Sequence, residues 1–300
     1  DQNIETLPIE VIVSDNFSTD HTKDIIYKYN TFKNFKSNIN NSNIGMSMNI
    51  LNMVKFNAVG KYCWIIGDDD FILHGMILKL LETLKSNEDI DFFFTSIKHI
   101  DINSFLKIKD FSTAIFKKEI LNFEFENIEN VEQLCVPPYS QVFLGEIMSS
   151  IFRRSTWLEY NEIYKTKNLS EFLTTLENSY PHCVIYANKF FGKRAIYFKT
   201  PLIMVLNGAR EWWDKAPFLV VEILRELVLL YMKKIEDRKL SRKLIAHYFN
   251  ISFGQVLRSI SNKKNISIKN YSFFVFRHID VFFITLVRKI IAKKKSKIIL

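Results

Sequence analysis

Residues 9–22 read IEVIVSDNFSTDHT, and residues 62–70 read YCWIIGDDD. In both stretches an apolar run ends in polar and acidic residues. Such runs predict buried strands over residues 9–13 and 62–66. Ser18 or Thr19 is a suitable N-cap for a helix that extends to about Tyr29. This alternation of strand and helix indicates an α/β fold with a mostly parallel sheet flanked by helices on both faces.

The rest of the chain continues in the same manner as far as residue 210. Helical spacing over residues 46–58 ends at Gly60, a residue that commonly terminates helices. Further strands are predicted over 90–96, 149–153 and 195–206, and further helices over 73–84, 169–178 and 181–191. From residue 211 onward the pattern is helical, over 211–235, 238–260 and 270–293. We therefore predict an α/β domain over residues 1–210 and a helical C-terminal region over residues 211–300.

Acidic residues follow both of the strands quoted first. Ligands of open parallel sheets bind at the carboxyl ends of the strands, where Asp15 and the run Asp68, Asp69 and Asp70 are expected. Adjacent carboxylates repel one another, and Mg²⁺ or Mn²⁺ relieves that repulsion. In an extended segment Asp68 and Asp70 point to one side, which makes them the predicted metal pair. The alternatives are a solvated acidic turn for the run and an Asx-turn for Asp15.

These motifs resemble those of family-two glycosyltransferases. The first stretch is similar to the family's second-strand motif, usually written as two acids followed by G-S-T-D. Residues 43–70, NIGMSMNILNMVKFNAVGKYCWIIGDDD, are similar to its Asn-x-Gly, a following Asn, an Ala-x-Gly-Lys-Tyr and an Asp-x-Asp at these spacings. IFRRSTW at residues 151–157 and SYPH at residues 179–182 are more loosely similar to the abequosyltransferase-like subgroup of O-antigen assembly.

The resemblance implies a GT-A (Rossmann-like) fold and metal-dependent, inverting transfer of a sugar from a nucleotide-diphosphate sugar to a hydroxyl group of a growing, lipid-linked surface glycan. Asp68 and Asp70 would hold Mg²⁺ or Mn²⁺, which neutralises the charge that develops on the leaving diphosphate. The residues that it places around the nucleotide sugar are Asp15, Asn43, Gly45, Asn49, Asp68 and Asp69. The family's first strand is expected to precede residue 1.

Inverting transfer also requires a general base that accepts the proton of the attacking hydroxyl. His182 is one predicted catalytic residue, because Pro181 suits the first position of a helix whose dipole would keep the imidazole neutral. Glu177 is the other, at the end of the helix that precedes the same loop. Glu146 and Glu171 remain alternatives. A histidine bonded to a backbone carbonyl and a solvated helix end are the structural interpretations of these residues.

Two further clusters have both a functional and a structural interpretation. Arg153 and Arg154 suit a diphosphate or an acceptor phosphate, or they form a surface pair. The run Arg210-Glu211-Trp212-Trp213 suits stacking on a sugar, or it packs in the core.

The charge of the chain is concentrated near its end. The 300 residues include 41 Lys and Arg against 32 Asp and Glu, for a net charge of +9. The apolar run YSFFVFRHIDVFFITLV at 271–287 precedes a basic tail, and no acidic residue follows Asp280 in the chain. This pattern predicts an amphipathic segment on an anionic membrane, at the inner face of the cell membrane. The alternative is a C-terminal helix packed on the core. Nothing matches a nucleic-acid-binding motif, so no nucleic-acid partner is predicted.

The three cysteines form no CxxC pair, which excludes a cysteine-based zinc site of the usual spacing. A different phosphate-handling enzyme that uses an Asp cluster, such as a phosphatase, is disfavoured because Asp15 is not followed by the motif expected of an aspartyl nucleophile. Two main function hypotheses remain. The first is an active glycosyltransferase at the membrane surface. The second is a truncated or degenerate relative that keeps the fold as a non-catalytic binding module. The intact acidic run favours the first hypothesis, and the expected upstream strand is the argument for the second.

Overall fold

A computed structural model describes residues 4–108, 122–208, 214–261 and 266–298, with side chains described as far as residue 292 apart from residues 4 and 261. The strands are β1 (Val11–Asp15), β2 (Phe35–Ile39), β3 (Tyr62–Trp64), β4 (Asp70–Ile72), β5 (Phe92–Asp101), β6 (Phe125–Ile128), β7 (Ser150–Arg153) and β8 (Ala195–Asn207). The α-helices are α1 (Thr22–Tyr29), α2 (Met46–Asn52), α3 (Met76–Ser86), α4 (Ile102–Phe105), α5 (Arg154–Leu158), α6 (Leu176–Ser179), α7 (Pro181–Lys189), α8 (Ala216–Phe218), α9 (Leu224–Met232), α10 (Arg238–Ser261), α11 (Ile268–Arg277) and α12 (Ile279–Ile298). π-Helical turns at Met53–Asn57 and Leu219–Ile223 extend α2 and join α8 to α9.

The strands form two sheets. β1 and β2 pair in parallel as a separate two-stranded sheet, and the central sheet has the order β3-β7-β5-β8-β4, with β6 also paired to β8. Within the central sheet of the described residues only β5 and β8 run in parallel. The predicted α/β class is confirmed, but the sheet is mixed and not mostly parallel. Local alternation constrains neighbouring elements only, whereas β7 enters between β3 and β5 from far along the chain.

Some elements differ from the prediction. The Asn-rich composition of residues 37–45 predicts a loop, but β2 (Phe35–Ile39) extends into that segment, and β6 has no counterpart in the prediction. The helix expected over residues 169–178 is a single turn, α6, which begins only after Thr175. Thr175 and Asn178 form a capping box that fixes this late start, since each side chain bonds the backbone of the other.

The core between the central sheet and the helices is rich in aromatic side chains. Phe92 and Phe152 lie on β5 and β7, and they are fully buried against Tyr186 of α7. Phe152 also stacks on Trp157 with ring centroids 4.3 Å apart. Such rings bury a large apolar area with few rotatable bonds, so they fix how α5 and α7 sit on the sheet.

The C-terminal helices pack onto the same core. The Tyr231 hydroxyl of α9 donates to the Phe143 carbonyl at 2.9 Å, and the Phe191 and Tyr231 rings lie 4.9 Å apart. The predicted boundary at residue 210 lies outside the described residues. The helix expected over residues 270–293 is divided at His278, whose φ of −128° interrupts the helical backbone between α11 and α12. None of the helices in the described part of the chain is long and apolar enough to cross a membrane.

Candidate functional site

The carboxyl end of β1 presents a buried carboxylate. Asp15 is 4% exposed, and its Oδ1 accepts a hydrogen bond from the backbone N–H of Ser18 at 3.0 Å. Its Oδ2 is buried and has no hydrogen-bond partner among the described residues. A buried carboxylate oxygen without a donor is costly, and it is a ready acceptor for a hydroxyl or amide group of a ligand.

The loop that follows Asp15 is strained at one residue. Phe17 has a φ of 71°, a region that bulky side chains rarely adopt, and its ring is 45% exposed. It occupies the place of the glycine in the family motif, for which positive φ carries no penalty. The Lys23 ammonium lies 5.5 Å from the centre of the ring. Residues held in such a conformation are concentrated at functional sites.

Amide and hydroxyl side chains hold the ends of β1 and β2 together with α2. Asn49 accepts from the Ser14 hydroxyl at 2.7 Å and from the Asn40 amide at 2.9 Å, and it donates to the Ser14 carbonyl at 3.2 Å. Asn40 also donates to Asn16 at 3.1 Å. We name Ser14, Asn16, Asn38, Asn40, Asn43 and Asn49 the asparagine network. Asn16, Asn38 and Asn40 were not among the site residues predicted from the sequence, although the high asparagine content of residues 38–43 was a signal that could have pointed to them.

Gly45 joins this network to the middle of the chain. The side-chain oxygen of Asn43 accepts the Gly45 N–H at 2.9 Å and the Asn16 amide at 2.8 Å. The backbone of Gly45 has φ 82° and ψ 154°, a conformation almost confined to glycine. A Cβ at this position would lie 2.4 Å from the Ser170 carbonyl oxygen. The predicted nucleotide-side residues Asn43, Gly45 and Asn49 are therefore brought together with the Asp15 loop.

The acidic run after β3 is a turn and not an extended segment. Residues 68 and 69 form the turn, and β4 begins at Asp70, so the predicted alternation of side chains is wrong. Asp68 is exposed. Gly67 donates its N–H to Asp70 Oδ2 at 3.2 Å, and a Cβ at Gly67 would lie 2.8 Å from Asp69 Oδ1. The carboxylates of Asp69 and Asp70 therefore both lie against Gly67.

The described residues include no group of three or more His, Cys, Asp or Glu arranged to hold a metal ion. Two carboxylate oxygens beside an unsubstituted glycine nevertheless suit Mg²⁺ or Mn²⁺, since these cations commonly take one or two protein carboxylates and complete their shell with phosphate and water oxygens. The oxygen donors present thus fit such a cation.

His182 lies in the core. It is 4% exposed, with its ring 5.7 Å from that of Tyr186 and its Nε2 3.3 Å from the Gly145 carbonyl oxygen. Burial lowers the pKa of His182 to about 4, although the backbone carbonyl partners oppose that shift. The neutral imidazole donating to Gly145 is the structural interpretation that the sequence had left open, and this burial favours it over a role as base.

The buried His182 predicts an acid-dependent loss of stability. In the unfolded chain His182 is protonated near pH 6.5, whereas in the folded chain it is protonated only near pH 4. The contribution of the neutral His182 to the free energy of unfolding is therefore fully present above pH 6.5 and is lost as the pH falls below that value. Between pH 8 and pH 5 we expect wild type to lose about 2 kcal/mol more than His182→Gln, whose amide can still donate to Gly145. Urea unfolding at both pH values measures this difference, and equal losses would contradict it.

The glutamates named as bases occupy different surroundings. Glu146 accepts three hydrogen bonds, from the Ser140 hydroxyl and from the backbone N–H groups of Gln141 and Val142, so it organises its own loop. Glu171 is exposed and accepts from Thr174 at 2.9 Å. Glu177 is half-buried on α6, the element whose Asn178 carbonyl accepts the Ser47 hydroxyl of α2 at 2.7 Å. Glu171 and Glu177 thus both adjoin residues that contact the start of α2, and Glu177 is the half-buried one of the two.

The two adjacent arginines are structural in this fold. Arg153 forms an ion pair with Asp91 and donates to the Tyr62 hydroxyl at 3.0 Å. Arg154 donates to the Val54 and Lys55 carbonyls at 2.8 and 2.9 Å, which satisfies the end of the π-helical turn after α2. The sequence suggested either phosphate binding or a surface pair for these arginines, and neither interpretation describes these contacts. The run Arg210 to Trp213 lies outside the described residues.

Comparisons with known proteins agree with these features. Residues 1–143 match the family model described as "Glycosyl transferase family 2". The chain is 38% identical over 86 residues to "Abequosyltransferase RfbV" of Salmonella typhimurium, a match that covers 28% of this chain and 26% of that protein. The chain therefore spans about a quarter of the length of that curated relative.

Solved structures with a similar fold include two of TarS from S. aureus. The TarS 1–349 fragment in complex with UDP-GlcNAc has a TM-score of 0.57 at 16% identity, covering 91% of this chain and 72% of that one. The fragment described without a ligand has a TM-score of 0.53 at 18% identity, covering 82% and 64%. At these identities the similarity shows the fold alone. Residues 1–143, which carry the motifs after β1 and β3, are therefore similar to glycosyl transferase family 2.

Proposed function

We propose that this protein transfers a sugar from a nucleotide-diphosphate sugar to a hydroxyl group of a bacterial surface glycan. The observation that carries the proposal is the buried Asp15 carboxylate at the carboxyl end of β1, with one oxygen lacking a described partner and the asparagine network around it. The relatives support the reaction class, since one is named an abequosyltransferase and TarS was solved with UDP-GlcNAc.

In this proposal the nucleotide occupies the Asp15 end of β1. The free Oδ2 of Asp15 accepts a hydrogen bond from the base or the ribose, and Asn43, Gly45 and Asn49 shape the adjoining wall. The asparagine network is built from neutral amides that already bond one another, so the wall is ordered before the ligand arrives. A preorganised site binds with less loss of side-chain entropy.

Asp69 and Asp70 would hold the Mg²⁺ or Mn²⁺ ion, in place of the Asp68 and Asp70 pair expected from the sequence. When bound, the cation supplies positive charge to the leaving diphosphate. Asp68 is left exposed beside them, so we assign it no ligand role.

Glu177 is the proposed general base, and the reaction is proposed to invert the anomeric centre. A half-buried glutamate can take a proton from the attacking hydroxyl, whereas the His182 nitrogens face the core. Burial and the neighbouring Glu177 raise the pKa of Glu226, with Arg225 opposing the shift. These two carboxylates therefore lie close enough to interact electrostatically.

Calorimetric titration with UDP, GDP and CDP, in Mn²⁺ and then in EDTA, tests the proposal. We expect one nucleotide to bind, with affinity that falls at least about tenfold in EDTA, because the cation joins two carboxylates to the diphosphate. Asp69→Asn and Asp70→Asn should each lose the Mn²⁺ dependence. Asp68→Asn is the matched control and should keep it.

The possible results separate the alternatives. Binding that is lost in Asp68→Asn and kept in Asp69→Asn would restore the metal pair expected from the sequence. Nucleotide binding without sugar transfer to any glycan acceptor would favour the non-catalytic module. No binding of any of the three nucleotides would overturn the proposal.

A further inference from the structure

Helix α12 is apolar on two opposite sides. One side packs on α10, where the Phe282 and Phe249 rings lie 5.1 Å apart and Val281 and Thr285 are buried. At one end of this contact Asp280 accepts a hydrogen bond from Arg242 at 2.6 Å, and at the other end Lys289 donates to the Asn250 carbonyl at 2.7 Å. The side of α12 that faces α10 is therefore buried against the rest of the protein.

The other side of α12 is open. We name as the outer face its apolar side chains that are between 46% and 55% exposed: Ile279, Phe283, Ile284, Val287, Ile290 and Ile291. Ile279, Phe283, Val287 and Ile290 follow one another at helical spacing, so they lie on one side of the helix. Single exposed apolar residues are ordinary in soluble proteins, but a contiguous row of this kind marks an interaction surface.

The charge of the segment selects the partner. Residues 281–300 contain no Asp or Glu, and they carry six cations, Arg288, Lys289, Lys293, Lys294, Lys295 and Lys297, of which Lys289 bonds Asn250 on the packed side. An apolar row followed by basic residues complements an anionic lipid surface, where the acyl boundary receives the apolar side chains and the headgroups receive the cations. A second copy of the chain would bring the same six cations and no acid from this segment to offset them.

We propose that the outer face of α12 docks on an anionic lipid bilayer and lies in its interface. This changes the prediction made from sequence in one respect. There the whole apolar run at 271–287 with its basic tail met the membrane, whereas here the row from Ile279 to Ile291 supplies the apolar contact and the cations supply the preference for anionic lipid. The proposal does not depend on the glycosyltransferase assignment, because it uses no residue of that site.

Co-sedimentation with vesicles tests the proposal, using the full chain with phosphatidylcholine alone and with added phosphatidylglycerol. Wild type should bind the anionic vesicles and show little binding to the neutral ones. Phe283→Gln/Val287→Gln should weaken anionic binding about 10- to 30-fold, because two half-exposed apolar side chains no longer enter the lipid. The matched control is Ile25→Gln/Leu78→Gln, which changes two exposed apolar helix residues elsewhere and should bind as wild type does.

Thermal unfolding verifies that both double variants remain folded, and calorimetry with the nucleotide verifies the other site separately. Absence of wild-type binding to anionic vesicles would overturn the proposal. Equal binding by Phe283→Gln/Val287→Gln and wild type would also overturn it. So would sedimentation velocity that shows a wild-type dimer and a monomeric double variant, because the outer face would then be covered by a second copy.

Discussion

Alanine at position 45 is expected to lower the free energy of unfolding by about 3 kcal/mol or more. The backbone of Gly45 lies in a region that costs other residues of the order of 1–3 kcal/mol, and the new Cβ would lie 2.4 Å from the Ser170 carbonyl oxygen. Because backbone and not a flexible side chain meets the methyl group, the contact between α2 and the 168–175 segment must open. Urea unfolding measures the loss.

Gly75→Ala is the matched control for this substitution. Gly75 also has a positive φ, of 73°, but nothing lies within 4 Å of a Cβ built there. The control therefore reports the backbone cost alone, for which we expect about 1 kcal/mol. Equal losses in the two variants would show that the segment carrying Ser170 moves away without cost, and that Gly45 does not hold α2 against it.

Asp15→Asn is expected to weaken nucleotide binding about 10- to 100-fold and to change the free energy of unfolding by less than about 1 kcal/mol. The asparagine oxygen can still accept the Ser18 N–H, and the variant removes a buried charge that has one oxygen without a described partner. A hydrogen bond from a ligand to a carboxylate contributes about 1.5–3 kcal/mol. Calorimetry and urea unfolding on the same preparation give the two numbers.

Asn49→Asp is the comparison for this second prediction. It places a charge within the asparagine network, where Asn49 both donates and accepts, and it removes the donor to the Ser14 carbonyl. We expect it to reduce stability and binding together. If Asp15→Asn behaved in the same way, with both quantities falling, Asp15 would be a structural residue of the β1 loop and not a ligand contact.

Local patterns in the sequence located the elements that carry the site. β1, β3 and α7 follow from short apolar runs and from Pro181, and the Asp15 motif follows from the residues themselves. The turn at residues 68–69 and the burial of His182 did not follow. The turn depends on the pairing of β4 with β8, and the burial of His182 depends on the loop that carries the Gly145 carbonyl. Both are set by contacts far along the chain.

The asparagine network is another feature that local sequence patterns do not predict. An Asn-rich segment is typical of a loop, yet here it contains β2 and a set of bonded amides, since Asn38 and Asn40 find partners on β1 and α2. Each amide can donate and accept, so a group of them can satisfy itself without any ionisable residue. Only the pairing of β1 with β2 shows that they are neighbours.

The insertion of β7 between β3 and β5 has a consequence for how the chain is made. β3 pairs only with β7 among the described strands, and β5 lies between β7 and β8. A nascent chain that has emerged as far as residue 143 thus contains the whole region matched to the family and still lacks β7 and β8, the two strands that flank β5. The sheet is complete only after about residue 207 has left the ribosome, so until then the aromatic β5 strand lacks both of its neighbours and its edges are open to aggregation.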